Sequence, residues 1–220
     1  MHDIDFARQR ERLVDVELRD LGIRDEAVLA AMRSVPREEF VDGEQRPHAY
    51  RNATLPIGGG QTISQPLIVA LMIEAARVSA DDRVLEIGTG SGYAAAVLAR
   101  IVKDVFTVER LPELAESAAE RLHRLGYSNV HVLVGDGTRG WSEKAPFDAI
   151  IVSAAAPQVP PALLQQLCLG GRLVIPVGED RESQELVRVV RRGVDEFDRE
   201  DLGGVRFVPL IGDAGWQPSD

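Results

Sequence analysis

The chain has little of what marks several common protein classes. Among its 220 residues there is one cysteine, Cys168. No internal disulfide can form, which excludes a disulfide-stapled secreted scaffold. Cys168 lies in a Leu-rich stretch and reads as a small buried hydrophobe. No run of about 18 apolar residues occurs, so no membrane span and no membrane partner are predicted. The opening Met1-His2-Asp3-Ile4-Asp5 is acidic and lacks the apolar core of a leader, so no secretory signal is expected and the expected compartment is the cytoplasm. Basic residues are outnumbered, 25 Lys and Arg against 35 Asp and Glu, for a net charge of -10. A surface of that sign repels phosphate backbones and argues against a nucleic-acid partner. No His-x-x-x-His or Cys-x-x-Cys spacing appears, so no metal is expected. The histidines His2, His48, His123 and His131 are scattered. His123 and His131 read as structural, and only His48 falls in a long loop.

What is present is a composition of 45% hydrophobic and 27% charged residues, enough for one domain with a sizeable core. Residues 1–80 read as helices and a loop packed on the rest, 81–212 as a nucleotide-binding core, and 213–220 as a polar tail. Phe6 to Leu21 carries Leu13, Val14, Val16, Leu18 and Leu21 at helical spacing and stops at Gly22. Asp25 can cap a helix over Glu26–Ser34, and Arg37–Phe40 reads as a short helical turn. Gly43 to Ile63 is expected to be irregular, broken by Pro47, Pro56 and Gly58-Gly59-Gly60. Ser64 reads as an N-cap, with Pro66 in the first turn of a helix over Leu67–Ala76.

From Arg83 the pattern alternates. Strands are predicted at Val84–Ile87, Val105–Val108, Val130–Val134, Ala149–Val152 and Arg172–Val177, with helices at Tyr93–Arg100, Leu111–Leu125 and Pro161–Leu167. The fold class is therefore α/β, a mostly parallel sheet with helices on both faces. Glu185–Arg192 and Val205–Leu210, with no helix between them, read as an antiparallel pair closing the sheet.

The stretch Val84-Leu85-Glu86-Ile87-Gly88-Thr89-Gly90-Ser91-Gly92-Tyr93 is an apolar strand, a glycine turn and a helix start. Such a turn brings bare backbone against a nucleotide. The dinucleotide fingerprint has the spacing G-x-G-x-x-G. Here Gly88, Gly90 and Gly92 are evenly spaced and follow an acid, Glu86, as in methyltransferases that use S-adenosylmethionine (AdoMet). Ligands of open parallel sheets sit at the carboxyl ends of the strands. Those ends supply Glu109, suited to the two hydroxyls of a ribose, and Asp136 with Gly137, facing an adenine edge. The fourth end, Ser153 to Pro157, is small and apolar, unlike the Asp/Asn-Pro-Pro-aromatic set of enzymes that methylate base nitrogens.

The run Leu55-Pro56-Ile57-Gly58-Gly59-Gly60-Gln61-Thr62-Ile63-Ser64-Gln65-Pro66 resembles the signature of the protein-L-isoaspartate O-methyltransferase family. Gly135-Asp136-Gly137, Phe147-Asp148-Ala149-Ile150, Gly170-Gly171-Arg172-Leu173, Pro176-Val177-Gly178 and Val205–Leu210 agree with it in order. The resemblance spans Phe6 to Leu210. It implies a Rossmann-like methyltransferase with a seven-stranded sheet, AdoMet as methyl donor and S-adenosyl-L-homocysteine as product. It implies as substrate the free α-carboxylate of L-isoaspartyl residues in damaged proteins and peptides, and the enzyme is expected to be a monomer.

By that resemblance Ser64 stands at the active site. Thr62, Ile63, Gly88, Thr89, Gly90 and Gly92 line the cofactor together with Glu109, Arg110, Asp136 and Gly137. Leu55, Pro56 and Ile57 join Ser64 in walling the peptide cleft. Leu67 and Val69 are apolar where some relatives carry His, so no histidine role transfers, and Ile211 stands where Thr is common. Two other readings stay open. One is a carboxyl methyltransferase for a specific peptide or small molecule. The other is a non-catalytic AdoMet binder, against which Gly88, Gly90, Gly92, Glu109 and Ser64 speak.

Overall fold

A computed structural model describes residues 5–217. Helix α1 (Phe6–Arg12) starts where the Asp5 carboxylate accepts the Arg8 N–H. It runs on through a π-helical stretch, Leu13–Leu18, which turns Leu13, Val14 and Leu18 into the core, and the chain reverses at Gly22 with φ +104°. Helix α2 (Glu26–Ser34) is capped as expected, Asp25 accepting the Ala27 and Val28 N–H groups. Short 3-10 turns follow at Arg37–Phe40 and Arg46–His48.

The stretch expected to be irregular contains a hairpin, β1 (Leu55–Gly58) and β2 (Gln61–Ile63), paired antiparallel. The glycines do not break it. Gly58, Gly59 and Gly60 all have positive φ and build its turn. Pro56 is tolerated because a two-stranded ribbon leaves an unpaired edge. Ser64 is likewise not the N-cap of helix α3 (Pro66–Ala76). Gln65 holds that position without a side-chain bond. Pro66 at the first position has no N–H, and the Leu67 N–H is capped by Asn52 Oδ1 at 3.1 Å.

The sheet contains β3 (Arg83–Ile87), β4 (Asp104–Glu109), β5 (Val130–Val134), β6 (Phe147–Val152), β7 (Leu167–Val177), β8 (Gln184–Arg191) and β9 (Phe197–Val205). Helices α4 (Tyr93–Leu98), α5 (Pro112–Arg124) and α6 (Pro161–Gln165) connect them. The strand order is β5-β4-β3-β6-β7-β8-β9, parallel from β5 to β7 and antiparallel at β8 and β9. The last strand differs from the expected Val205–Leu210. The pairing segment is Phe197–Val205, a solvent-facing edge whose charged residues hide the strand pattern. Residues 206–210 instead cross the carboxyl ends of the strands, with Pro209 bridging to Ala155.

Alternate strand residues feed two cores. Val84, Val105, Ala149 and Ile151 join α2, α3 and α4 on one face, and Leu85, Phe106, Ile150 and Val152 join α6 and Trp141 on the other. The chain leaves β3 toward β4 and β5, then returns to pair β6 with the other side of β3. That reversal opens a crevice at the carboxyl end of β3. Among the described residues no helix is long and apolar enough to cross a membrane. Cys168 is half-buried rather than buried, its thiol donating to Asp148 Oδ1 at 3.5 Å.

Candidate active site

A cavity of about 300 Å³ occupies the crevice at the end of β3. The glycine loop makes its floor. Gly88, Gly90 and Gly92 have φ of +92°, +53° and +88°. A side chain at Gly92 would press on Leu122 and Ala118 of α5, so this glycine also lets that helix close on the loop. Ile57 of the hairpin lies directly over Gly90, so β1 and β2 roof the loop.

Glu109 ends β4 against this floor. Its Oε2 accepts the Gly90 N–H at 2.9 Å and its Oε1 the Leu111 N–H at 3.0 Å. Each oxygen retains acceptor capacity toward the cavity it lines. Thr89, Gly88, Gly90, Arg110 and Gly137 line the same cavity, as do Thr62, Ile63 and Ser64 from the hairpin side.

Asp136 does not line the cavity. Its Oδ1 accepts from the Thr138 N–H and hydroxyl, and its Oδ2 accepts the Asp213 N–H. Burial raises its pKa, but the hydrogen bonds from Asp213 and Thr138 and the nearby Arg139 outweigh that and hold it below the ordinary carboxylate range. Asp136 thus pins the turn that presents Gly137, and it docks the C-terminal stretch around Asp213. Leu55 is buried opposite Ile63, Pro56 is exposed, and Ile57 packs on the glycine loop, so these three shape the hairpin rather than a cavity wall. His48 lies in its 3-10 turn outside the site, and His2 lies outside the described residues.

Glu86, which the motif reading uses only as the acid before the glycine loop, is given no site role there. It is fully buried in β3, yet it borders the cavity. Its Oε2 accepts the Thr107 hydroxyl at 2.6 Å, and Thr107 in turn meets the Thr89 hydroxyl at 2.6 Å. Its Oε1 has no hydrogen-bond partner among the described residues. Burial pushes the carboxyl up to about 8, against the pull of Thr107 and with help from the charge of Glu109. A buried acceptor at the edge of a cavity with no partner calls for a donor from a ligand.

A second cavity, about 820 Å³, adjoins the first. Its walls are the chain crossing at Gly204–Val208, the turn at Arg181–Gln184, and Thr54, Gln65 and Ile68. Thr62, Ser64, Ser153, Arg181 and Val208 line both cavities. The place where the two spaces meet is therefore walled by three hydroxyls, a guanidinium and one apolar side chain. The Ser64 hydroxyl has no partner among the described residues, while its carbonyl accepts from Arg37 Nη2 at 2.7 Å.

Comparison with known proteins agrees with this geometry. A family model described as protein-L-isoaspartate(D-aspartate) O-methyltransferase matches residues 8–215. Protein-L-isoaspartate O-methyltransferase 2 of Pelobacter propionicus is 62% identical over 208 residues, covering 94% of this chain and 92% of that one. Protein-L-isoaspartate O-methyltransferase 1 of Geotalea uraniireducens is 60% identical over 211 residues and 96% of both chains. Among solved structures, a protein-L-isoaspartate O-methyltransferase superimposes with a TM-score of 0.85 at 31% identity, over 94% of this chain and 67% of its own. A candidate member from Plasmodium falciparum, solved with S-adenosyl-L-homocysteine, gives 0.80 at 26% identity over 92% of this chain and 98% of its own. With the signature hairpin, the glycine floor and the sheet order all in place, the chain belongs to the protein-L-isoaspartate(D-aspartate) O-methyltransferase family.

Proposed function

We propose that the first cavity holds AdoMet, that the second holds an L-isoaspartyl peptide, and that the peptide's free α-carboxylate is methylated where they meet. The observation that carries this reading is the shared wall of Thr62, Ser64, Ser153, Arg181 and Val208 between the two spaces, largely polar and with a cation suited to a carboxylate. The protein is an AdoMet-dependent methyltransferase of this family, and its substrates are isoaspartyl-containing proteins and peptides.

The fit to AdoMet rests on the donor and acceptor groups present. Glu109 offers two carboxylate oxygens to ribose hydroxyls. Glu86 Oε1, the buried acceptor without a partner, suits the ammonium of the methionine half. Gly137 offers backbone to the adenine edge, held in place by Asp136, and Arg110 stands at the rim. When bound, AdoMet supplies an electrophilic methyl group on a sulfonium leaving group. The nucleophile needs no activation, since a carboxylate with a pKa near 4 is already ionised at pH 7.

What remains for the chain is orientation. Ser64 donates its hydroxyl hydrogen to one carboxylate oxygen and so aims the other. It has no base beside it and is not itself a nucleophile. The hairpin roof excludes water from the transfer. The resulting ester closes to a succinimide as the following backbone amide nitrogen attacks the ester carbonyl, loses its proton and expels methanol, and addition of water to the ring returns part of the residue to normal aspartate.

The test is a pair of synthetic peptides identical except for Asp against isoAsp. Each is incubated with the protein and AdoMet and assayed for base-labile methyl ester. Methylation of the isoAsp peptide alone is expected. Equal methylation of both, or of neither while AdoMet binds, rejects the reading.

A further inference from the structure

Arg37 is fully buried, and its position is unusual for a cation. Its Nε donates to the Ala49 carbonyl at 2.8 Å and its Nη2 to the Ser64 carbonyl at 2.7 Å. Its guanidinium carbon lies 4.6 Å from the centre of the Tyr93 ring, and Nη1 has no hydrogen-bond acceptor among the described residues. No carboxylate among the described residues forms an ion pair with it. Its neighbour Glu38 is taken by the Tyr50 hydroxyl and faces Arg10 at 3.9 Å. Burial depresses the pKa of Arg37, while Tyr93 and Tyr50 pull it back up, and an arginine keeps its charge under such pressure.

An uncompensated buried cation is costly unless something offsets it. Two carbonyls and an aromatic face do so only in part. The position of Arg37 indicates what completes the offset. Of the three residues it grips, Ser64 and Tyr93 line the AdoMet cavity, and Ser64 lines the peptide cavity too. The same cavity carries Glu109 and the proton-holding Glu86, which suit a cationic cofactor, while Arg181 lines both cavities as Ser64 does and Arg37 lies buried behind Ser64.

We infer that Arg37 is a positioning residue with a second role: its buried charge, set behind Ser64, adds to that of Arg181, which lines both cavities, in selecting a carboxylate at the methyl-acceptor position. The inference rests on the isoaspartyl reading above and deepens it. A carboxylate hydrogen-bonded to Ser64 would lie roughly 8 Å from the guanidinium by bond geometry. At an effective dielectric of about 20 that separation corresponds to about 30-fold in affinity. Access of water to the peptide cavity lowers the expectation to roughly 10-fold.

The experiment uses twin fluorescent peptides, one with isoAsp and one with isoAsn, which replaces the carboxylate by a neutral amide of the same shape. Binding is read by anisotropy on protein saturated with S-adenosyl-L-homocysteine. The wild type should prefer the carboxylate, and Arg37→Met should cut that preference by about 10-fold. Arg37→Lys should keep most of it, even if both peptides bind more weakly. Were Arg37 only a buttress for Ser64, Arg37→Met would weaken both twins equally and preserve the preference, which would overturn the inference. Loss of the preference in Arg37→Lys overturns it too. Should Arg37→Met not fold, Arg37→Gln, neutral but still able to donate to the buried carbonyls, makes the same comparison, and an absent preference in the wild type is fatal by itself. Methyl transfer to the isoAsp twin is followed in parallel. Its absence in wild type rejects the functional reading, whereas normal transfer without carboxylate preference rejects only the role of Arg37.

Discussion

Glu86 offers a quantitative test of the site's electrostatics. Its carboxyl is fully buried on β3, with one hydroxyl on Oε2 and nothing on Oε1. Burial moves its pKa from an ordinary 4.5 to about 8. The folded protein therefore holds this proton more tightly than the unfolded chain. The stability this confers is fully present below pH 4.5 and is lost as pH rises through about 8. The span corresponds to about 5 kcal/mol, a ceiling, because water entering the cavity eases the charged form. Glu86→Gln keeps the shape and the acceptor for Thr107 but cannot titrate. Urea unfolding of the ligand-free proteins between about pH 5 and about pH 8.5 should show wild type losing several kcal/mol relative to the variant. At the alkaline end Glu86→Gln should be the more stable protein. Every other titrating group is common to both, so the difference isolates Glu86. A difference that does not change with pH would refute the argument. The same linkage makes AdoMet binding tighten as pH rises toward about 8 in wild type and removes that dependence in Glu86→Gln, which calorimetry would read.

The remaining expectations concern the floor and the acceptor end. Glu109→Ala should weaken AdoMet binding by roughly 1.5–3 kcal/mol and affect peptide binding less; calorimetry giving an unchanged cofactor dissociation constant would leave Glu109 as a brace for the Gly90 and Leu111 N–H groups alone. Ser64→Ala should lower turnover about 10- to 100-fold while thermal stability and AdoMet affinity hold, because Gln65 and Asn52, not Ser64, serve the start of α3. Ser64→Asp should bind AdoMet and be nearly inactive, its charge repelling the incoming carboxylate, and an active Ser64→Asp enzyme would remove Ser64 from the substrate's side. Gly137→Ala would drive its new methyl into the Ile87 side chain under the cavity floor, costing about 1–3 kcal/mol by overpacking; a melting temperature matching wild type would show that the turn around Asp136 shifts freely.

Much of the molecule could be read before folding, because much of it is set by local rules. Short apolar runs alternating with helical stretches placed the parallel strands. The spacing of Gly88, Gly90 and Gly92 located the cofactor floor, since positive φ and close approach are properties of the residue itself. Asp25 declared its helix through a side chain that caps only its neighbours. Where reading failed, the deciding contact was distant in sequence. The Gly58–Gly60 run is a hairpin turn because Leu55 and Ile63 find each other and Ile57 covers Gly90. Ser64 loses its apparent capping role to Asn52, twelve residues earlier in the chain and adjacent only after folding. The charged stretch ending at Val205 becomes a strand because an edge facing water needs no apolar alternation. That choice frees residues 206–210 to wall the site.

The chemistry divides the same way. The kind of cofactor and the kind of reaction were legible in short motifs, whose backbone and side chains act within a few residues of one another. The environment of each charge was not. Glu86 is a plain acid in the sequence and a buried, proton-holding one only once β4 and the cavity enclose it. Asp136 reads from its motif as facing the adenine, and only the fold shows Asp213 turning back to donate to its carboxylate. Arg37 is one arginine among many until burial strips it of water and sets it behind Ser64. Burial and electrostatic context depend on every element packed around a group, so only the tertiary structure could decide them.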